Sequence, residues 1–375
     1  MSEINYKTKV QKKQMYKNRG QKLISFRDIQ ALSEKLKKEG KNIVFTLGSF
    51  DLLNPGHCRY LAEAKAQGDI LVVGVSSDAS LKRTKGEDFS LVNEEVRAEL
   101  ISQLRIADYV TIVDEDRPHA LLILLKPDVY FTSQGAWDDG TRDKYEEILV
   151  KSYGGIIIKR ERHKPYFGTN SLAEHIANIR VIQTLESYLK DKIDGFILDP
   201  LKHLKPADFG KQIPVGRNAF NPRKRVLKFN KLAYFREAMK KKGLTVSFVA
   251  GSFDLLHVGH ARFIEQAGLH ADVLVVGLPS DTSLRLLKGI GRPVINEYAR
   301  AYVLGHLEVV DHVVIFNDKT IYSTLESLKP DVFFTVEESW NNFKESKEFK
   351  FVKSYGGKVV SAEFNTNFPT QPLLT

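Results

Sequence analysis

The stretch G-S-F-D-L-L-H-V-G-H, residues 251–260, decides the fold of this chain. It follows an apolar run over residues 245–250 that is typical of a buried parallel strand. It precedes three apolar residues whose spacing predicts a helix, namely Phe263, Ile264 and Ala267. A glycine-bearing turn therefore joins a strand to a helix, with His257 and His260 near the helix start. Because a helix N-terminus presents free N–H groups and a positive dipole, the stretch predicts a phosphate-binding turn.

The same stretch occurs earlier in the chain, as G-S-F-D-L-L-N-P-G-H over residues 48–57. Gly48 and Gly251 are 203 positions apart (251 − 48), and other residues keep that offset. The pairs that keep it are His57 and His260, Asp78 and Asp281, Lys85 and Lys288, Arg97 and Arg300, and Trp137 and Trp340. An offset sustained over about ninety residues indicates duplication of a whole domain, since each repeat is large enough to hold its own core.

The composition bounds the class of protein. The chain has 375 residues, of which 42% are hydrophobic and 27% charged, as in globular proteins. No run of about 18 apolar residues appears, and the N-terminus has no apolar core, so we expect neither a membrane span nor a secretory signal. The single cysteine, Cys58, excludes an internal disulfide and fits a reducing compartment. We therefore expect a cytoplasmic protein.

The net charge of +10 is concentrated partly in residues 1–22, which are rich in lysine. We interpret these residues as a basic, flexible tail. A nucleic-acid-binding arm is the alternative, and it is disfavoured because few aromatic side chains are interleaved with the charges. A basic surface also suits anionic substrates such as nucleotides.

Strands alternate with helices along both repeats, which predicts an α/β fold with two doubly wound, mainly parallel sheets. We divide the chain into the tail, a first domain over residues 23–192, a linker over residues 193–225 and a second domain over residues 226–375. The first domain is expected to end in an amphipathic helix over residues 171–192. The linker is assigned from its four prolines, Pro200, Pro206, Pro214 and Pro222.

The strand, the G-x-F-D-x-x-H-x-G-H turn and the helix resemble the signature of the cytidylyltransferase-like nucleotidyltransferases. The resemblance covers roughly residues 24–178 and 226–368. V-V-G-V-S-S-D-A-S-L-K-R-T-K-G, residues 72–86, and G-R-P-V-I-N-E-Y-A-R, residues 291–300, look like the nucleotidyltransferase domain of ADP-heptose synthase. Glycerol-3-phosphate and ethanolamine-phosphate cytidylyltransferases are similar but more distant, and the latter also carry two such domains. The resemblance implies two Rossmann-like nucleotidyltransferase domains in tandem.

The reaction that the resemblance implies is attack by a phosphate oxygen of a phosphorylated substrate on the α-phosphorus of a nucleoside triphosphate. Pyrophosphate leaves. Because the nucleophile is already an anion, catalysis requires charge neutralisation and positioning rather than a strong base. Mg²⁺ is expected with the triphosphate. No cluster with metal-ligand spacing is visible in the sequence, so no protein metal site is predicted.

The resemblance also implies roles for residues of the second domain. The catalytic group is expected to be His257, His260, Lys288 and Arg300, with the arginine bracing the β- and γ-phosphates. Nucleotide contacts are expected from Gly251, Ser252, Phe253, Asp281, Arg292, Thr366 and Asn367. Substrate contacts are expected from Asp254 and Trp340, although turn capping by the aspartate and core packing by the tryptophan are equally compatible with the sequence. The first-domain equivalents are Gly48, Ser49, Phe50, Asp51, Asn54, His57, Asp78, Lys85, Arg97, Trp137, Thr169 and Asn170.

The two repeats depart from the pattern in different places. Asn54 stands where the second repeat has His257, and Asn54-Pro55 is a favourable start for a helix. Phe89 stands where the second repeat has Arg292. The second repeat keeps these side chains, but the sequence ends soon after Thr366-Asn367, where the family has a closing helix. We therefore expect the second site to act and the first domain to serve as its pseudo-dimer partner.

Three readings of the function stay open. The favoured one is transfer from ATP to a sugar phosphate such as a heptose 1-phosphate, with no membrane or nucleic-acid partner. The second is a CTP-dependent ethanolamine-phosphate or glycerol-phosphate cytidylyltransferase, which the tandem arrangement favours. The third is a nucleotide-binding pseudoenzyme that acts as a scaffold, which Asn54 favours. An aminoacyl-tRNA synthetase fragment is disfavoured because no anticodon-binding domain is evident, and homo-oligomerisation is left open.

Overall fold

The computed structural model describes six stretches of the chain: residues 6–86, 92–133, 142–160, 222–289, 292–337 and 342–362. These residues form two compact units. Described residues from 18 to 160 make up the first domain, and those from 222 to 362 together with residues 6–17 make up the second. Each domain contains a parallel sheet with interleaved helices, which confirms the predicted tandem α/β fold.

The first helix of the chain, α1 (Lys9–Asn18), contradicts the prediction of a flexible tail. Its Lys12 side chain is 1% exposed and forms an ion pair with Asp311 of the second domain. The prediction was wrong because a lysine-rich composition reports charge, whereas burial depends on whether a carboxylate is available to pair with it.

The first domain is a five-stranded parallel sheet in the order β3-β2-β1-β4-β5. Its elements are α2 (Ile29–Lys38), β1 (Ile43–Gly48), α3 (Pro55–Lys65), β2 (Ile70–Ser76), α4 (Asp78–Lys85), α5 (Glu94–Ser102), β3 (Tyr109–Val113), α6 (His119–Leu125), β4 (Val129–Ser133), α7 (Arg142–Ser152) and β5 (Ile156–Arg160). Strands such as β1 and β2 are buried on both faces, as parallel strands covered by helices must be.

The second domain repeats this arrangement and adds one strand, giving the order β11-β10-β7-β8-β9-β6. Its elements are β6 (Val226–Leu227), α8 (Leu232–Lys241), β7 (Val246–Ala250), α9 (Val258–Gly268), β8 (Val273–Pro279), α10 (Asp281–Lys288), α11 (Glu297–His306), β9 (His312–Phe316), α12 (Tyr322–Leu328), β10 (Val332–Thr335), α13 (Lys347–Ser354) and β11 (Lys358–Ser361). All of its strand pairs are parallel. The signature turn follows β7, so it lies at the carboxyl edge of the sheet, where α/β folds bind ligands.

The end of the predicted linker is part of the second domain. Arg225 donates to the carbonyl oxygens of Val310 and Asp311, at 3.1 and 3.0 Å. The next residues, Val226 and Leu227, pair with β9 as strand β6. The predicted helix over residues 171–192 and the rest of the linker lie outside the described residues.

Within the described part of the chain, no helix has the length and apolar character needed to cross a membrane.

Candidate active site

The signature turn of the second domain is held in an unusual backbone conformation. Phe253 has a φ of 43°, in the left-handed region that residues with side chains rarely adopt. Its ring covers Gly251, where an added Cβ would lie 2.8 Å from the ring. Gly48 and Phe50 repeat both features, with a φ of 48° and a distance of 2.8 Å. The glycine is therefore required to accommodate the phenylalanine ring that shapes the turn.

His257 and His260 lie together at the start of α9. The Nδ1 atom of His257 accepts a hydrogen bond from the backbone N–H of His260 at 3.3 Å, so His257 caps the helix. Because Nδ1 accepts, the neutral ring carries its proton on Nε2, which is then available as a donor. The two imidazole rings stack with centroids 3.7 Å apart, and the edge of Phe253 contacts His260. The helix start thus presents two adjacent imidazoles.

Both histidines are neutral near pH 7 in this state. Burial, with smaller contributions from the neighbouring His257 and Lys288, lowers the pKa of His260 to about 3. Burial also lowers the pKa of His257. A phosphate bound beside them would stabilise the protonated form, since an opposite charge raises the pKa of a base. His257 can therefore donate to an anion as a neutral ring, and either ring can gain charge when the anion arrives.

These lowered pKa values predict that stability falls in mild acid. Burial lowers the pKa of His57 to about 4 and that of His260 to about 3, whereas unfolded histidine titrates near about 6.5. Between these values the unfolded chain binds more protons, so acid favours unfolding by at most about 1.4 kcal/mol per pH unit for each histidine. Denaturant unfolding at about pH 7 and about pH 5 measures the effect. His57→Asn and His260→Asn should each flatten the pH dependence, and an unchanged slope in both would contradict the prediction.

Lys288 extends from the end of α10 onto the signature turn. Its Nζ atom donates to the Ser252 hydroxyl at 3.1 Å, and the side chain is solvent-accessible. Partial burial lowers the pKa of Lys288, and the charge of Arg292 lowers it further. The structure therefore brings Lys288 to the same turn as the two histidines, as the sequence predicted.

Arg300 lies near the start of α11, as predicted, and bonds to groups of the protein itself. Its side chain is almost fully buried and donates to the carbonyl oxygens of Ile295, Ser252 and Pro279, at 2.8, 2.8 and 3.0 Å. It also donates to the Asp281 carboxylate at 2.7 Å. Each guanidinium nitrogen donates within the protein, so Arg300 positions the turn; its contact with phosphates stays a prediction. Asp281, predicted to contact nucleotide, is its carboxylate partner.

Asp254 ties the turn to the segment after α10. Its carboxylate accepts from the backbone N–H groups of Val294 and Ile295, both at 2.9 Å. It also accepts from Arg292 Nη1 at 3.0 Å. This geometry matches the turn-capping alternative rather than a substrate contact, and it fixes Arg292 beside Lys288.

The first domain repeats these contacts around its own signature turn, with asparagine in place of the first histidine. Asn54 is fully buried: its Oδ1 accepts from the His57 N–H, and its Nδ2 donates to the Leu52 carbonyl, both at 3.1 Å. The amide is therefore used within the turn and, being fully buried, presents no solvent-accessible donor. Arg97 is buried like Arg300, donating to the Val92 and Ser49 carbonyls and to Asp78. Asp51 accepts from the Val92 N–H at 3.0 Å.

Two further residues of the first site are Lys85 and Cys58. Lys85 lies close enough to His57 to lower its pKa, after burial as the main cause. Cys58 is buried, and burial raises the pKa of its thiol, which fits a passive residue. Several predicted residues lie outside the described ones, so their placement stays a prediction: Trp137, Trp340, Thr169, Asn170, Thr366 and Asn367.

One further carboxylate at each site was not among the predicted site residues. Glu297 accepts from the backbone N–H of Asp281 at 2.7 Å, and Glu94 accepts from that of Asp78 at 2.6 Å. Each glutamate thus ties the start of one helix to the start of another. The Asn-Glu pairs at residues 93–94 and 296–297 keep the offset of 203. This repeat was the feature of the sequence from which the two glutamates could have been predicted as site residues.

No group of three or more His, Cys, Asp or Glu side chains is placed to hold a metal ion within the described ranges. We therefore assign no protein ligand to a metal at either site.

Comparison with known proteins gives matches to both domains. The model of the Cytidylyltransferase-like family matches residues 45–187 and 248–372. The bifunctional protein HldE from a Nitratiruptor species is 49% identical over 104 residues, which are 28% of this chain and 22% of that protein. The protein of the same name from Geobacter metallireducens is 44% identical over 129 residues, 34% of this chain and 26% of that protein.

One solved structure is that of the lipopolysaccharide core biosynthesis protein from Thermoplasma volcanium. It has 29% sequence identity and a TM-score of 0.29, and the match covers 34% of this chain and 99% of that chain. The matches to the HldE proteins span about a quarter of the length of those relatives.

Proposed function

The chain belongs to the cytidylyltransferase-like family of nucleotidyltransferases, and from this premise we propose that it transfers a nucleoside monophosphate from a nucleoside triphosphate to a phosphorylated small molecule. Pyrophosphate is the second product. The observation that carries the proposal is the paired His257 and His260 at the start of α9, with Lys288 reaching the same turn. A helix N-terminus with two imidazole donors and a movable cation suits a triphosphate.

Each group would have a distinct task. Nε2 of His257, fixed as a donor by the cap at Nδ1, would donate to a phosphate oxygen, and His260 beside it would do the same. Lys288 would exchange its contact with Ser252 for the phosphates as they bind. The donors would neutralise charge that builds up at the α-phosphorus and on the departing pyrophosphate. Mg²⁺, held by triphosphate oxygens, would supply further charge neutralisation.

We place the reaction in the second domain. His257 and Asn54 cap the same turn in their respective domains, but His257 is partly exposed and keeps its Nε2–H as a donor, whereas the Asn54 amide is fully buried. The first site retains His57 and Lys85, so nucleotide binding without efficient transfer is the expected behaviour there.

We favour ATP and a sugar 1-phosphate as the substrates. Support comes from the likeness of residues 72–86 and 291–300 to the nucleotidyltransferase domain of ADP-heptose synthase. The identity to the HldE proteins agrees with this choice.

Pyrophosphate release tests the assignment. We expect release with ATP and at least one sugar 1-phosphate, in a panel that also contains CTP, phosphoethanolamine and glycerol phosphate. Release only with CTP and a phospho-alcohol would move the protein to the cytidylyltransferase alternative. Nucleotide binding without release for every pair would contradict an enzymatic role and favour the scaffold.

A further inference from the structure

The sheet of each domain has a carboxylate at the amino-terminal edge, remote in sequence from the signature turn. In the second domain Asp311, just before β9, accepts from the backbone N–H of Leu274 in β8 at 2.8 Å. In the first domain Asp108, just before β3, accepts from that of Leu71 in β2 at 2.7 Å. Both pairs keep the offset of 203, so the same carboxylate ties the same two strands in each repeat.

The cation that pairs with this carboxylate comes from a different place in each domain. Lys65, the last residue of α3, pairs with Asp108. The matching position in the second domain is Gly268, which has no side chain. A Cβ at Gly268 would lie 2.2 Å from the Val309 Cγ2 atom, so neighbouring packing now fills that space. Asp311 pairs instead with Lys12 of α1, 299 residues away in the sequence.

Further contacts hold residues 6–17, which we call the N-terminal strap, on the second domain. The Tyr6 hydroxyl lies 2.9 Å from Nε2 of His312, and the Tyr6 ring packs against the second-domain core. Lys7 forms an ion pair with Glu308 at 2.8 Å, and the backbone N–H of Lys9 donates to Asp272 at 2.8 Å. The strap thus contacts groups near the starts of β8 and β9 through several independent interactions.

We propose that the N-terminal strap is an integral part of the second domain, in which Lys12 replaces the lysine that the duplicated sequence lacks at position 268. Arg225 lies 3.9 Å from the same carboxylate, but Lys12 is the cation that donates a hydrogen bond to it, and removing the closer partner of a buried carboxylate is destabilising. The chain supplies this cation from residues that precede the first domain in the sequence. In sequence, the first domain is therefore inserted between two parts of the second.

Hydrogen exchange on the full-length chain tests the proposal, because it reports each domain separately. We expect Lys12→Met to speed exchange in β8 and β9 by about tenfold or more and to leave β2 and β3 unchanged. Lys65→Met should speed exchange in β2 and β3 only, and by a smaller factor, because the Lys65–Asp108 pair is partly exposed. Lys13→Met changes the exposed neighbour of Lys12 on the same helix, and it should leave hydrogen exchange unchanged in both domains. The melting temperature of the second domain should fall by about 5 to 10 °C in Lys12→Met only.

A compensating variant isolates the charge pairing. Asp311→Asn keeps an oxygen that can accept from Leu274 but removes the uncompensated charge, so Lys12→Met combined with Asp311→Asn should regain most of the lost protection. The proposal is overturned if Lys12→Met and Lys13→Met behave alike, if both domains lose protection equally, or if the double variant is no better protected than Lys12→Met.

Discussion

His260→Ala is expected to lower the rate of pyrophosphate release by about 100- to 1000-fold, the range seen when one preorganised donor to a transition-state charge is removed. His260 stacks on His257 at a centroid distance of 3.7 Å, and Lys288 lies close enough to perturb its pKa. The His260 imidazole is therefore close to both of the other donors, His257 and Lys288. Initial rates at saturating nucleoside triphosphate and sugar phosphate would measure the loss.

His57→Ala is the matched control, since His57 occupies the same place in the first domain and has the same edge contact with a phenylalanine. We expect it to change the rate by less than about threefold, given that Asn54 leaves the first site without the second donor. Equal losses in the two variants would contradict the assignment of the reaction to the second domain.

His257→Asn separates the two roles of His257, which are to cap the start of α9 and to donate a hydrogen bond to phosphate. Asn54 shows that asparagine caps this turn, because its Oδ1 accepts from the His57 N–H. The variant should therefore keep the stability of the second domain while its transfer rate falls by about 10- to 100-fold. A fall in both stability and rate would show that His257 acts chiefly as a cap.

The fold and the location of the site followed from local sequence patterns. The duplicated turn, its flanking strand and helix, and the constant offset were sufficient to predict two α/β domains of one family, and both predictions are confirmed. Lys288 was predicted to lie in the loop after the second strand; it lies at the end of α10, and its side chain reaches Ser252 of the turn.

The errors concern side chains whose partners are distant in sequence. Arg300 was assigned to phosphate from sequence, and the pattern did not predict its bonds within the protein, among them one to the Ser252 carbonyl, 48 residues away. Lys12 was assigned to a solvated tail, but its partner is 299 residues away. A charged residue has the same appearance in sequence whether it faces solvent, a ligand or a buried partner. Only tertiary packing distinguishes these cases.

The strap changes how an isolated second domain should be tested. A fragment that begins at Val226 lacks Lys12 and leaves Asp311 without its closest cation, although Arg225 lies 3.9 Å away in the intact chain. Loss of activity in such a fragment would follow from lost stability as readily as from loss of the first domain. A fragment with residues 6–17 joined ahead of residue 222 is the better comparison.

Arg300→Met is expected to lower the free energy of unfolding of the second domain by about 3 to 5 kcal/mol, because it leaves Asp281 without its cation and three carbonyl oxygens without a donor. Since the Ser252 carbonyl lies in the signature turn, the transfer rate should also fall, by about 100-fold. Arg97→Met, its first-domain counterpart, should destabilise the first domain and leave the second-domain strands protected in hydrogen exchange.

Arg300→Lys distinguishes positioning from direct phosphate binding. A lysine keeps the positive charge but cannot reproduce a fork that reaches the Ile295, Ser252 and Pro279 carbonyls at once. If Arg300 positions the turn, Arg300→Lys should resemble Arg300→Met in both stability and rate. If it instead contacts the triphosphate, Arg300→Lys should keep the stability of the domain and raise KM for the nucleotide. The buried geometry, with each guanidinium nitrogen already bonded, leads us to expect the first result.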